Sequence, residues 1–259
     1  MSITYTNYLK VNELLELQQL KSDPKEHDET LFIIIHQTYE LWFKQITHEF
    51  GKLNKELKAG NTWTSIKTLR RILTIMKTLV SQVDILETMT PLEFNSFRKF
   101  LGQSSGFQSL QFREIEILCG LRSPLMKEAH KDDPHHLKIL ETKMNEPTIW
   151  ESFCEYLKTK GYSISAVREN DRGLMFNTSD ENQKELIKMM NDHPEAALVS
   201  ELLVDFDEGL QEWRYRHVKM VQRTIGTKKG TGGSEGVAYL QKTLNQTIFP
   251  DLWDIRSAF

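Results

Sequence analysis

Bulky side chains recur at Phe32, Ile35, Tyr39, Trp42–Phe43, Ile46, Phe50, Leu53 and Leu57. This is the 3.6-residue period of one buried helical face, held for about seven turns. The charged run KSDPKEHDET at 21–30 precedes it, with Asp28 placed as N-cap and Glu29 in the first turn. Gly60 supplies the stop after Ala59. At ~1.5 Å per residue such a helix is about 45 Å long. It must run the length of whatever domain it belongs to, and its partners must be helices long enough to cover it.

The rest of the chain offers such partners. A second stripe runs from Thr64 to Met89 through Ile66, Leu69, Leu73, Met76, Val80, Val83 and Leu86. Thr90-Pro91-Leu92-Glu93 is a capping box with proline at the first helical position. It opens a short helix carrying Phe94, Phe97, Arg98 and Leu101. After a break at Ser104–Gly106 another helix is predicted to end at Gly120. From Glu201 a strong helix carries Leu203, Phe206, Leu210, Trp213, His217, Met220 and Val221, stopping near Ile225-Gly226. Leu9 to Leu20 reads as a short amphipathic helix. The stretch HKDDPHHLK, 130–138, reads as a polar loop, and residues 121 to about 195 are the least legible part. With 13 Gly and 7 Pro in 259 residues there are few breaks, and no alternating strand pattern stands out. The predicted class is all-α, a single helical domain over 1–259 with long core helices.

Charge excludes some functions. The balance of 33 basic to 36 acidic residues, net −3, gives no attraction for nucleic acid or an anionic membrane. No apolar run reaches the ~18 residues a membrane span needs. The N-terminus lacks a basic region followed by an apolar one, so no secretory signal is read there. Cys119 and Cys154 form neither a ligand spacing nor a disulfide framework. A cytoplasmic location is the expectation.

Two histidines on two apolar stripes are the most informative pattern. His36 shares a stripe with Phe32, Tyr39 and Phe43; His217 shares one with Leu210, Trp213 and Met220. Each alone reads as a core histidine, but together they allow a shared pocket. Neither HExxH nor CxxC is present, which argues against zinc. A helical pocket with one axial histidine suits haem. Arg98, four residues after Phe94, is either a snorkelling surface residue or a fork for a carboxylate. GTKKGTGGSEG at 226–236 contains no Walker loop. Its GGSEG, 232–236, matches GxSxG, but that elbow needs a strand before it and here a helix precedes. The loop reads as a flexible turn, or as a lid whose backbone approaches a ligand closely. HKDDPHHLK is also a candidate for adventitious metal binding.

Six blocks carry a resemblance: TYTNYL at 4–9, HDETLFIIIHQTYELWFKQ at 27–45, ILETMTPLEFNSFR at 85–98, SSGFQSLQFR at 104–113, WRYRHVKMV at 213–221 and GTKKGTGGSEGVAYL at 226–240. Together they closely resemble tryptophan 2,3-dioxygenases. The resemblance implies an all-helical haem b enzyme, ferrous when active, assembled as a homotetramer of intertwined dimers. Its substrates would be O2 and L-tryptophan, and its product N-formyl-L-kynurenine, formed by oxygen insertion across the indole C2–C3 bond in the first step of the kynurenine pathway.

Residue by residue, the resemblance makes His217 the axial ligand of haem iron and His36 the partner of the indole N–H. Phe32 lines the indole pocket. Arg98 pairs with the substrate carboxylate, with Phe94 beside it. Thr231 contacts the substrate's ammonium and carboxylate ends, and Ser105 lies near the haem. Tyr5, Tyr8 and Leu9 belong to a segment, within residues 1–20, that reaches a neighbouring subunit's active site. Residues 121–200 match no quoted block. Three other readings stay open: a haem dioxygenase of a different indole, a haem sensor or store without turnover, and a helical interaction scaffold.

Overall fold

The 3.6-residue stripe at Phe32–Leu57 becomes a helix of 32 residues, His27–Lys58, in the computed structural model, which describes residues 2–167, 176–230 and 236–259. Two short helices precede it, α1 (Tyr5–Leu9) and α2 (Val11–Leu15); the long one is α3. Then come α4 (Thr62–Leu86), α5 (Pro91–Arg98), α6 (Leu110–Leu118), α7 (Leu125–Glu128), α8 (Pro134–Met144) and α9 (Ile149–Thr159). The chain closes with α10 (Asp180–Asp192), α11 (Pro194–Ile225), α12 (Val237–Gln241) and α13 (Pro250–Asp254). Among the described residues there is no strand, so the all-α expectation holds.

The three long helices make the frame: α4 packs along both α3 and α11, and α3 also meets α6 and α9. Ile46, Phe50, Leu53 and Leu57 of α3 interlock with Leu69, Ile72 and Leu79 of α4 and with Leu203, Phe206 and Leu210 of α11. Burying side chains of this size contributes ~1.5–3 kcal/mol each. A second, smaller apolar cluster of Ile35, Val83, Leu86, Phe94, Phe97 and Met220 lies toward the start of α3. Polar contacts set the helices in register. Tyr39 donates its hydroxyl to the Leu79 carbonyl at 2.9 Å, and Gln111 donates to the Glu40 carbonyl at 2.9 Å. Arg216 of α11 reaches Asp84 and Glu87 on and just past α4.

Several boundaries depart from the sequence reading. The segment Leu9–Leu20 is not one helix: Lys10 sits in the left-handed region at φ 56° and separates α1 from α2. Asp28 is not the N-cap; Glu26 holds that position without a side-chain cap. The neighbouring Glu29 instead turns back, accepting the amides of Lys21 (2.8 Å) and Ser22 (3.0 Å) and the Ser22 hydroxyl (2.5 Å). HKDDPHHLK is not a loop throughout, because Asp133 caps α8 by accepting from His135 and His136 amides, with Pro134 at its first position. The helix expected from Glu201 begins a full two turns earlier, at Pro194. The Thr90–Glu93 capping box forms as read.

Candidate functional site

A cavity of about 310 Å³ opens where α3, α5, α6 and α11 converge. Helical spacing builds its α3 wall: Phe32, His36, Tyr39 and Phe43 fall three or four residues apart and so share one face. The His36 ring lies 4.2 Å from the Phe32 ring, centroid to centroid. Its Nδ1 sits 2.7 Å from the carbonyl oxygen of Phe32, one turn back. A carbonyl can only accept, so Nδ1 carries the proton and donates it. Burial holds the His36 pKa below the usual histidine range, against the opposing pull of that bond and of Glu40. The ring is therefore neutral at pH 7, and Nε2 is left as an open acceptor. By area His36 is exposed, but the surface it exposes is cavity wall rather than outer surface, so enclosure by protein decides its protonation.

The α11 wall presents Trp213, His217 and Met220. The indole of Trp213 stacks on the His217 ring with planes 6° apart and centroids at 5.4 Å. Burial, and then the nearby His36, push the His217 pKa down to about 4. No hydrogen bond contributes to that shift, and none is made by its imidazole among the described residues. His217 thus offers a proton-free, uncommitted nitrogen to the cavity. The structure brings His36 and His217 to one chamber, close enough that charge on one is felt at the other.

Phe94 and Arg98 come from α5 and close a third side, with Phe94 and Phe97 each packed against the Phe32 ring at 5.8 and 5.5 Å. Arg98 donates through one Nη2 to the Lys229 carbonyl at 2.5 Å, which ties α5 to the glycine-rich segment. Gly236 at the far end of that segment has φ +62°, and a Cβ there would meet the Lys228 carbonyl oxygen at 2.9 Å. The close backbone approach read from GTKKGTGGSEG is thus, at Gly236, an approach to the loop's own other edge. Thr231, and with it Ser234 of the GxSxG match, lies outside the described residues. A helix, α11, precedes that match, and the described residues contain no strand to build an elbow.

Ser105 lines the cavity and its hydroxyl accepts the Phe107 amide at 3.3 Å. Tyr5, Tyr8 and Leu9 lie on α1, 76%, 73% and 46% exposed, away from their own chain's cavity. In HKDDPHHLK the His130 and His136 Nδ1 atoms lie 3.2 Å apart, but among the described residues no group of three or more His, Cys, Asp or Glu is placed to hold a metal.

Among the lining residues that sequence reading did not single out are the charged Arg113, Glu116 and Arg214. Arg113 and Glu116 are three apart on α6 and read as an ordinary helix-surface pair. Nothing in the spacing says that Arg214, about a hundred residues on, meets them.

A sequence model described as tryptophan 2,3-dioxygenase matches residues 1–152 and 165–259. The tryptophan 2,3-dioxygenase of Herpetosiphon aurantiacus is 51% identical over 259 residues, covering 99% of this chain and 98% of that one. That of Anaeromyxobacter sp. (strain K) is 48% identical over 258 residues, 99% of this chain and 96% of the other. That of Xanthomonas euvesicatoria is 39% identical over 261 residues, 99% and 87%.

Proposed function

The chain belongs to the tryptophan 2,3-dioxygenase family, and from that premise we propose that it oxidises L-tryptophan with O2 to N-formyl-L-kynurenine, with α11 holding the cofactor and α3 reading the indole. The observation that carries the reading is the unlike pair of imidazoles on facing walls. His217 is neutral and makes no hydrogen bond among the described residues, so it is the residue that would hold haem iron. His36 keeps Nε2 open as an acceptor because Nδ1 is held by its own helix.

Haem b fits this chamber on its donor set and its lining: one unpartnered neutral imidazole, walls of Phe, Trp, Met and Val, and no rival cluster of metal-binding side chains among the described residues. When bound, ferrous haem supplies the oxygen chemistry. The chain supplies the rest. Phe32 and Phe94 bound an apolar slot for the indole ring. His36 Nε2 would accept the indole N–H and so fix the ring's orientation in that slot. Because the ring is neutral and weakly basic, it holds that proton without removing it. Arg98 uses its free N–H groups as a fork for the substrate carboxylate. Its bond to the Lys229 carbonyl ties α5 to residue 229, and the resemblance assigns the amino and carboxylate ends to Thr231. Fixing both ends of the amino acid orients C2 and C3, a positioning effect worth several kcal/mol in general. The apolar walls exclude water from the reacting carbons.

Tyr5, Tyr8 and Leu9 fit an intertwined assembly. Among the described residues their side chains are largely exposed, and a homotetramer would supply a neighbour to cover them. No helix among the described residues is long and apolar enough to cross a membrane. The test is incubation of ferrous protein with O2 and L-tryptophan, following N-formylkynurenine absorbance. Turnover of ring-substituted tryptophans only would assign a different indole, a coloured protein without product would be a sensor or store, and a colourless protein would be a scaffold.

A further inference from the structure

We propose that His130 and His136 form a proton-operated clasp between the turn after α7 and the first turn of α8. It holds while at least one of the two rings is neutral and opens when both are charged, loosening the α6–α8 layer in mild acid.

The two Nδ1 atoms face each other at 3.2 Å, with the rings edge to face. At that distance one Nδ1 donates and the other accepts. Two neutral rings can do this, and so can one neutral ring beside a charged one. Two charged rings cannot. Both Nδ1 atoms then carry protons, the bond is lost, and like charges are left in contact.

The surroundings decide which ring charges first. The His136 side chain is 35% exposed and its Nδ1 lies 3.3 Å from Asp133 Oδ2, whose other oxygen caps α8. His130 is 4% exposed, and its Nε2 is buried without a partner, so a charge there meets neither water nor an anion on that side. The first charge therefore settles on His136. Burial, then His136 and Arg113 of α6, hold the His130 pKa below the usual histidine range, against the pull of Asp133. His135 adds a third imidazole, its ring 6.2 Å from that of His136. The nearby ion pairs Lys127–Glu141 and Lys131–Glu128 lie at the exposed surface and give the pair little shielding.

What the clasp holds is weakly built. Ile117 of α6, Met126 of α7 and Leu140 of α8 form a small apolar cluster separate from the main core. So few buried contacts place this layer at the low end of local stability. An unfolded histidine takes its proton near 6.5. The folded pair takes its second proton only below that, so the layer loses stability as pH falls past about 6.5. Because α6 also places Phe112 on the cavity wall, acid would reach that wall without any cavity group titrating.

The test is amide hydrogen exchange of the full-length chain at about pH 7.5 and about pH 5.5, on either side of the ordinary histidine value and corrected for intrinsic exchange. In wild type, peptides within 110–144 should lose at least about tenfold more protection than peptides of α4, the coupling expected of groups that titrate as a pair. His136→Asn keeps a polar side chain on the half-exposed partner and removes its titration, so the local acid loss should vanish. Deuterium exchange at histidine C2 reads each ring's protonation in wild type and needs no variant. His130 should protonate at clearly lower pH than His136, and at higher pH in His136→Asn than in wild type. Protonation of both rings at the same pH overturns the clasp even if His136→Asn fails to fold. So does an acid loss in 110–144 no larger than in α4, which would mark a global effect such as that of His217, or an undiminished local loss in His136→Asn.

Discussion

The α3 and α11 walls each present one imidazole to the same chamber, and the two are in opposite chemical condition. His36 is tied by Nδ1 to the Phe32 carbonyl, lies against the Phe32 ring and feels the charge of Glu40. His217 is sandwiched against Trp213, makes no hydrogen bond among the described residues, and is the harder of the two to protonate. Residue type alone does not assign a role. What separates an acceptor for an N–H from a ligand for a metal is what each ring nitrogen is already doing.

The comparison breaks most visibly at His217. His217→Ala should abolish turnover, by at least about three orders of magnitude, because binding and positioning of the substrate cannot replace the cofactor's chemistry. Product absorbance from L-tryptophan checks it, and turnover within tenfold of wild type would separate His217 from the iron. Next comes the clamp that both walls depend on. Arg98→Lys keeps the charge and loses the fork, so KM should rise at least about 30-fold, from the ~2–5 kcal/mol that such buried pairs are worth on truncation. A near-normal KM would remove Arg98 from the carboxylate.

His36→Ala should be milder. One hydrogen bond of ~0.5–1.5 kcal/mol corresponds to about a 2- to 13-fold loss in kcat/KM. L-tryptophan methylated at the indole nitrogen offers no N–H, so the variant and wild type should converge on it; a gap that persists would mean His36 acts otherwise. The smallest effect is on pH stability. His217 stays neutral down to about pH 4 in the folded chain, whereas an unfolded histidine takes its proton near 6.5. Between those values the unfolded state binds more protons, so this group costs stability as pH falls from about 6.5 toward 4. Thermal melts of haem-free wild type and His217→Phe across that window should show a shallower decline in the variant.

Much of this site was legible in the sequence because helical periodicity fixes a face. Phe32 and His36 are one turn apart, and so are Trp213 and His217, which was enough to read two stripes bearing one histidine each. It was not enough to read that the stripes meet, which needed the resemblance and then the packing of α3 and α11 through α4. The Thr90–Glu93 capping box was legible because its chemistry is local. Elsewhere the local signals misled. Lys10 breaks the N-terminal stripe with a left-handed residue that no pattern announces, and the apolar residues around it are exposed. Asp133-Pro134 was a usable cap hidden in a polar run. Arg113, Glu116 and Arg214 were illegible for a different reason. A charged residue on a helix reads as surface until the tertiary structure buries it.

The most direct test of the two-wall account is the Soret spectrum of His217→Ala and His36→Ala purified side by side under conditions that load the wild-type chain with haem. The account requires the band to be lost or grossly reduced in His217→Ala and kept at wild-type intensity in His36→Ala. A wild-type band in His217→Ala, or its loss in His36→Ala alone, would reverse the assignment of the two walls.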